Sequence, residues 1–445
     1  MLTICALTVA AVANAQTPPA FAPIRHVNLS GNGAVWVAFA GQLRERVESW
    51  QSFNFGALPP APATAEASDA FVLTRALMSA DLHAGSHLRL FAQGKSSFST
   101  TRDLAGGRRP SDVDEIDVHQ LYAEVDGGAF SLRGGRLEMA YGRERLISAL
   151  DWANTKRSFD GVTARYGDRS GTSVTAFWAR PVVVRLYQAD RRDSTTSLFG
   201  VYGTLLAAQI GMGADVYWIG QRRDSGDADW NGTVGREVRH TAGLRLWGPT
   251  RGQSALDLEG EAAIQFGEVG NNAIRASMFA GGIGYSFRQA WGAPRVYINL
   301  DYASGDAAPG GEVGTFSQLN PQPHPFLGFA DIAGRQNIVD VSGGGVMRLW
   351  RTLVGAADYH LFRRASANDA FYALSGVVSR SASFGTAKSV ASELDLSFRW
   401  PVDRHRLLLA GWSHVFPGAF ITQGGGPSGA DLPIDFVYLM AQYTL

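Results

Sequence analysis

The sequence has one cysteine, three lysines and no excess of either charge. Cys5 is the sole cysteine, so an internal disulfide, a CxxC redox motif and a thiolate metal cluster are all excluded. Acidic and basic residues number 40 each, which argues against a nucleic-acid binder, where a clearly basic domain is expected. No apolar run after residue 15 reaches the length of about 18 residues that a membrane-spanning helix needs. GxSxG, HExxH, GxxxxGK[ST] and a strand–helix GxGxxG are missing as well, so no enzyme signature stands out. The segment 306–314, DAAPGGEVG, lacks the ligand spacing of an EF-hand. No cofactor is expected.

Only Lys95, Lys156 and Lys388 are lysines, and every other cation is arginine. Arginine is the planar, permanently charged partner for carboxylate or sulfate, although a GC-rich coding sequence would give the same bias. The N-terminal MLTICALTVAAVANAQ is a short apolar stretch ending in Ala13-Asn14-Ala15, which reads as a signal peptide over 1–15. Residues 16–34 read as a short lead-in, and one domain spans 35–445.

Within that domain, stretches of about ten residues alternate apolar and polar, the period of a β-strand. In SALDLEGEAAIQF, Leu256, Leu258, Ala262, Ile264 and Phe266 share a face, opposite Asp257, Glu259, Glu261 and Gln265. In SELDLSFRW, Leu394, Leu396, Phe398 and Trp400 oppose Glu393, Asp395, Ser397 and Arg399. In GRLEMAYG, Leu137, Met139 and Tyr141 oppose Arg136 and Glu138. A soluble sandwich also alternates, but here the polar face carries Asp, Glu and Arg in series and the apolar face often ends in an aromatic ring. Lipid outside, aromatic girdles at both interfaces and a wet, charged lumen require that arrangement. The expectation is an all-β protein: a single transmembrane antiparallel β-barrel of about 18 strands (roughly 16–20), with a charged lumen, in the outer membrane of a Gram-negative cell. The carboxylates of Asp257, Glu259 and Glu261 could suggest glycosidase chemistry but read more simply as wall charge.

Several stretches, in order along nearly the whole mature chain, resemble the alginate-export family of outer-membrane barrels. They are LRERVESWQSFNFG (43–56), FVLTRALMSADLHAGSHLRLF (71–91), LYAEVDGGAFSLRGGRLEMAYGRERLISALDWANTKRSFDGVTARY (121–166), GTFSQLNPQPHPFLGFADIAGRQNIVDV (314–341), DYHLFRRASANDAFY (358–372) and SELDLSFRW followed by HVFPGAFI. The resemblance implies one barrel of about 18 strands with an arginine-rich constriction that passes an anionic polysaccharide outward. The chain ends Tyr443-Thr444-Leu445, so Tyr443 carries part of the aromatic terminal signal that the barrel-assembly machinery reads. Expected partners are the polysaccharide, outer-membrane lipid and periplasmic export proteins, with the channel itself a monomer.

Strand parity nominates the pore residues. Arg44 and Arg46 share a face with Glu48, and Arg75 shares one with Ser79, Asp81 and His83. Arg136, Arg165 and Arg399 oppose apolar neighbours, and Arg363 and Arg364 follow the DYHLF strand. The densest group is GRERLISALDWANTKRSFDG (142–161). There Arg143, Arg145, Lys156 and Arg157 lie beside Asp151 and Asp160, in a loop expected to fold over the lumen, with Trp152 and Phe159 as wall anchors. Asp160-Gly161 reads as a turn, and the bland alternative is an Arg157–Asp160 pair that locks it. Any single arginine is as readily a loop or headgroup charge or a lumen salt bridge. The alternatives for the whole chain are a general or small-solute anion-preferring porin, an outer-membrane β-barrel enzyme with a triad assembled in space, or a soluble secreted β-protein.

Overall fold

The computed structural model describes residues 25–57, 66–168, 171–207, 211–249, 255–424 and 430–445; the expected signal peptide lies outside them. A short strand, β1 (Arg25–Asn28), precedes β2 (Val35–Gln51), β3 (Asp69–Ala84), β4 (Leu88–Ser99), β5 (Asp114–Asp126), β6 (Phe130–Leu137) and β7 (Phe159–Gly167). Next, β8 (Ser173–Arg185) continues into a hairpin arm, β9 (Gln188–Arg192), before β10 (Thr196–Ala207) and β11 (Met212–Trp230). Then come β12 (Thr233–Gly248), β13 (Leu256–Val269), β14 (Asn272–Ser286), β15 (Arg295–Ala303), β16 (Ile338–Trp350) and β17 (Leu353–Arg363). A loop hairpin, β18 (Phe371–Tyr372) and β19 (Val378–Arg380), separates these from β20 (Ser389–Pro401), β21 (Arg406–Pro417) and β22 (Ile434–Thr444). Setting aside β1, β9, β18 and β19, 18 strands pair antiparallel in chain order, and β22 closes on β2 from Gln42↔Thr444 to Gln51↔Asp435. Closure pairs the backbone all the way round, which a sheet in lipid requires. β1, inside the 16–34 segment, pairs with the start of β2, Arg25↔Phe39 to Asn28↔Trp36.

The alternation sorts as a lipid-facing barrel demands. On β13, Leu256, Leu258, Ile264 and Phe266 are exposed on the outer wall, while Glu261, Ala263 and Gln265 are buried inside. On β15, Val296, Ile298 and Leu300 face out and Asp301 faces in.

Six connections at one end are long: 52–68, 100–113, 138–158, 304–337, 364–388 and 418–433. Those at the other end include the brief 85–87, 127–129, 351–352 and 402–405. Outer-membrane barrels keep short turns on the periplasmic side, so the long loops are extracellular. Two of them turn inward, and this explains where GRLEMAYG departs from expectation. β6 ends at Leu137, and Met139 and Tyr141 belong to the inward loop, with Tyr141 stacked between Phe177 and Tyr202. Because the loops fill part of the lumen, apolar residues are buried inside the barrel too: Phe71, Leu73, Leu137, Phe159, Leu198, Phe316 and Phe436 form a core there. Parity separates two faces but does not say which one lipid meets.

Candidate functional site

The loop 138–158 crosses the lumen and is pinned to the β2–β4 wall. Arg44 donates from Nη1 to the carbonyl of Asp151 (2.7 Å) and from Nη2 to that of Ala153 (2.9 Å). Arg75 reaches the Asp151 carbonyl (2.9 Å) and carboxylate (2.9 Å). Arg46 donates to the Trp152 carbonyl (2.7 Å) and lays its guanidinium 4.1 Å from that ring's centre. Asn154 Nδ2 bonds the carbonyls of Thr74, Phe98 and Asp112. Hydrogen bonds to charged groups contribute about 1.5–3 kcal/mol each, so this network outweighs the backbone strain at Glu144, Leu150 and Lys156, which all sit at positive φ. Burial opposes ionisation of Asp151, but Arg75, Lys156 and Arg44 together hold its carboxyl below the usual range. Burial likewise opposes ionisation of Glu138, and Lys156 and His119 overcome it, so that carboxyl is also lowered.

The second inward loop, 304–337, docks on the first. Asn320 N–H donates to the Leu146 carbonyl (2.9 Å), Gln322 N–H to that of Glu144 (2.9 Å), and His324 stacks on Trp152 at 3.7 Å. The far side of this loop is held by Arg335, bidentate to Asp301 (2.8 and 2.7 Å), and by Glu393, which accepts the Ala330 N–H at 2.7 Å. Gly328 fits here because a Cβ would come within 2.4 Å of the Glu393 carboxylate, at a φ of +79°.

Between these loops and the arc from β12 to β22 a cavity of about 540 Å³ remains. Arg143, Arg145, Arg245, Arg288, Arg295 and Arg399 line it, with Asp257, Glu259, Asp301, Asp358 and Asp395. The arginines are interleaved with carboxylates. Arg145 bridges Glu259 (2.8 Å) and Glu261 (2.7 Å), Arg245 bridges Asp215 (2.9 Å) and Glu259 (3.3 Å), and Arg295 meets Asp257. Farther round, His360 bonds Asp340 (2.7 Å) and approaches Asp395 (3.9 Å), and Tyr297 donates to Asp358. Burial lowers Arg143 to about 10. Burial opposes the charge on Arg145 as well, but Glu259 and Glu261 raise it. In such a low-dielectric space each arginine, although beside a wall carboxylate, presents a local positive field to an anion moving past it.

The expected residues therefore divide. Arg145 and Arg399 line the cavity, and the Arg399 Nε has no hydrogen-bond partner. Arg44, Arg46, Arg75 and Asp151 lie behind the loop, in the contacts that hold it. Arg157 joins the two loops, donating to the carbonyls of Ser148 (3.3 Å) and Pro321 (3.1 Å), and burial lowers it to about 10. Arg364 is buried among the outer loops, bonded to the carbonyls of Ala367, Asp369, Gly385 and Ala387 and set 3.8 Å over Phe420. Arg165 lies near the short-turn end, beside Ser131 at 3.4 Å. Arg136 and Asp160 require correction: they share the outward face of Leu132 and Val162 and pair with each other at 2.8 Å. Asp160-Gly161 is strand, not turn, and no Arg157–Asp160 lock forms. Phe159 is a buried inward anchor as expected. Parity reading passed over Arg245, Arg288, Arg295 and His360, although Leu244-Arg245-Leu246 and Arg295-Val296-Tyr297-Ile298 carry the same signal.

A closed barrel of 18 strands with inward-folded loops around a charged passage is an outer-membrane channel. The chain belongs to the alginate export family, whose sequence model, described as "Alginate export", matches residues 35–435. Solved structures share the fold at low identity. Pseudomonas aeruginosa OccD3 (OpdP) superposes with a TM-score of 0.63 at 10% identity, over 97% of each chain. Pseudomonas aeruginosa OccK1 (OpdK) gives 0.60 at 10%, over 92% of this chain and 98% of that one. Acinetobacter baumannii OccAB1 gives 0.60 at 9%, over 92% and 96%. No curated protein sequence matches.

Proposed function

We propose that this channel passively conducts carboxylate-bearing saccharides, polyuronate chains or their oligomers, in extended form. The observation that carries the reading is the set Arg143, Arg145, Arg245, Arg295 and Arg399 facing one cavity, four of them already engaged by wall carboxylates. A uronate entering the passage replaces Glu259 or Asp257 as the partner of an arginine, and the wall carboxylate takes the arginine back as the sugar leaves. Each exchange trades one charge-assisted pair for another, so no site holds the chain strongly. A second reading, a small-solute anion-preferring porin, is favoured by the cavity size, which lies within the range of small-molecule sites.

The test is single-channel conductance of the refolded protein in a planar bilayer under a salt gradient, followed by uronate oligomers on one side. Anion selectivity with block that strengthens with oligomer length supports the polymer reading. Equal block by uronate monomer and oligomer supports the small-solute porin. Weak selectivity without block would sink both.

A further inference from the structure

On the outer wall, away from the lumen, β6 and β7 are 8 and 9 residues long, against 19 for β11. The barrel wall is therefore low on this side. Above it arches the β8–β9 arm, held to β5 and β4 where Asp190 N–H donates to Asp117 and Lys95 grips the Asp190 carboxylate at 2.9 Å. Under the arm is an outward-opening hollow of about 520 Å³ at the extracellular ends of β6 and β7.

The hollow is amphipathic. Its apolar floor is Val118, Leu121, Val162 and Trp178, each 43–57% exposed and continuous with the lipid-facing band. Its polar rim holds Arg136 and Arg192 with Asp117 and Asp160. Arg136 is compensated by Asp160, to which it is bidentate at 2.8 and 3.3 Å. Arg192 has no hydrogen-bond or ion-pair partner among the described residues. Arg180, cross-strand from Asp160, donates to the carbonyl of Ser194 at 2.6 Å, a partner without charge. The rim's two arginines and two aspartates balance, with both aspartates on Arg136, and Arg180 next to the hollow adds one positive charge, on a surface where arginine facing lipid is costly and the cost fades toward the interface.

We propose that this hollow binds a phosphorylated lipid of the outer leaflet, its phosphate at Arg192 and Arg180 and its acyl chains along Leu121, Val162 and Trp178. A low wall draws the headgroup layer down to meet the rim, as a short hydrophobic span does in general. An anion with attached acyl chains matches both halves of the hollow; a free anion matches only one.

The full-length protein is purified in detergent and mixed with diphosphorylated lipid A, and retained lipid is counted by native mass spectrometry. Phosphatidylcholine and inorganic phosphate serve as the comparison probes. The parent protein is expected to retain lipid A about tenfold better than phosphatidylcholine, and Arg192→Glu to lose about that factor, as one charge-assisted contact should give. Trp178→Ala, which removes floor and no charge, is expected to weaken retention severalfold. Unchanged planar-bilayer conductance in both variants verifies that the barrel is folded. Equal retention by Arg192→Glu and parent, equal retention of phosphatidylcholine, or displacement of lipid A by equimolar phosphate would each overturn the proposal.

Discussion

On the β2–β4 side of the lumen, Arg44, Arg46 and Arg75 end largely on backbone carbonyls of one loop; on the β12–β15 side, Arg245 and Arg295 end on carboxylates beside open space. The side chains are the same and both sets face inward. A carbonyl in a pinned loop offers no exchange, so the first set fixes the shape of the passage. A wall carboxylate competes with any passing anion of its own kind, so the second set takes part in passage. What an arginine does here follows from its partner's mobility rather than from its own charge.

The sharpest way to break this contrast is Arg75→Ala. It leaves the Asp151 carboxylate with weaker support and removes two loop contacts, and breaking such a buried pair costs about 3–5 kcal/mol. The expected result is a larger, noisier single-channel conductance and a lower unfolding temperature on heated gels. Gly328→Ala attacks the second loop instead, forcing a Cβ against Glu393 at a left-handed φ. That strain costs about 1–3 kcal/mol, and conductance should rise with a smaller loss of stability.

The third prediction concerns the exchangeable set. Arg295→Gln should leave the unfolding temperature nearly unchanged and roughly halve the anion-over-cation permeability ratio, measured as reversal potential in a salt gradient. An unchanged ratio would remove Arg295 from the passage. The smallest effect is that of pH. The Asp151 carboxyl is lowered in the folded channel, so its contribution to loop docking is fully present above the ordinary carboxylate pKa of about 4 and is lost as pH falls through the lower folded value. Conductance should therefore stay level from pH 7 to about pH 4 and rise only below that. A rise already at about pH 5 would show that another group holds the loop.

Much of this architecture was legible in the sequence, because period-two alternation with charge on one face has few solutions other than a membrane barrel. Leu256 to Phe266 sort to lipid and Glu261 and Gln265 to the lumen as read. The GRERLISALDWANTKRSFDG stretch was also legible as an inward loop with Phe159 as an anchor. Arg136 was not, since the apolar residue beside it, Leu137, packs on a loop rather than on lipid, and local alternation has no access to what fills the lumen. Nor could parity separate Arg75 from Arg295: both sit on lumen faces, and only the loop pinned across 76 positions from Arg75 to Asp151 tells them apart.

The two inward loops also differ in when they can form. The wall's grip on 151–154 comes from β2, β3, β4 and the loop at 100–113, all earlier in the chain, while Tyr141 waits for β8 and β10 and Arg145 for Glu259 and Glu261 on β13, so this loop begins to seat on a partial sheet before the barrel has closed. The loop 304–337 needs that seated loop on one side and Glu393, on β20, on the other. Its assembly is thereby ordered: the first loop acts as an internal mould, and the passage takes its final bore only after the late strands arrive. A barrel caught between those two events would be a wide, unselective leak.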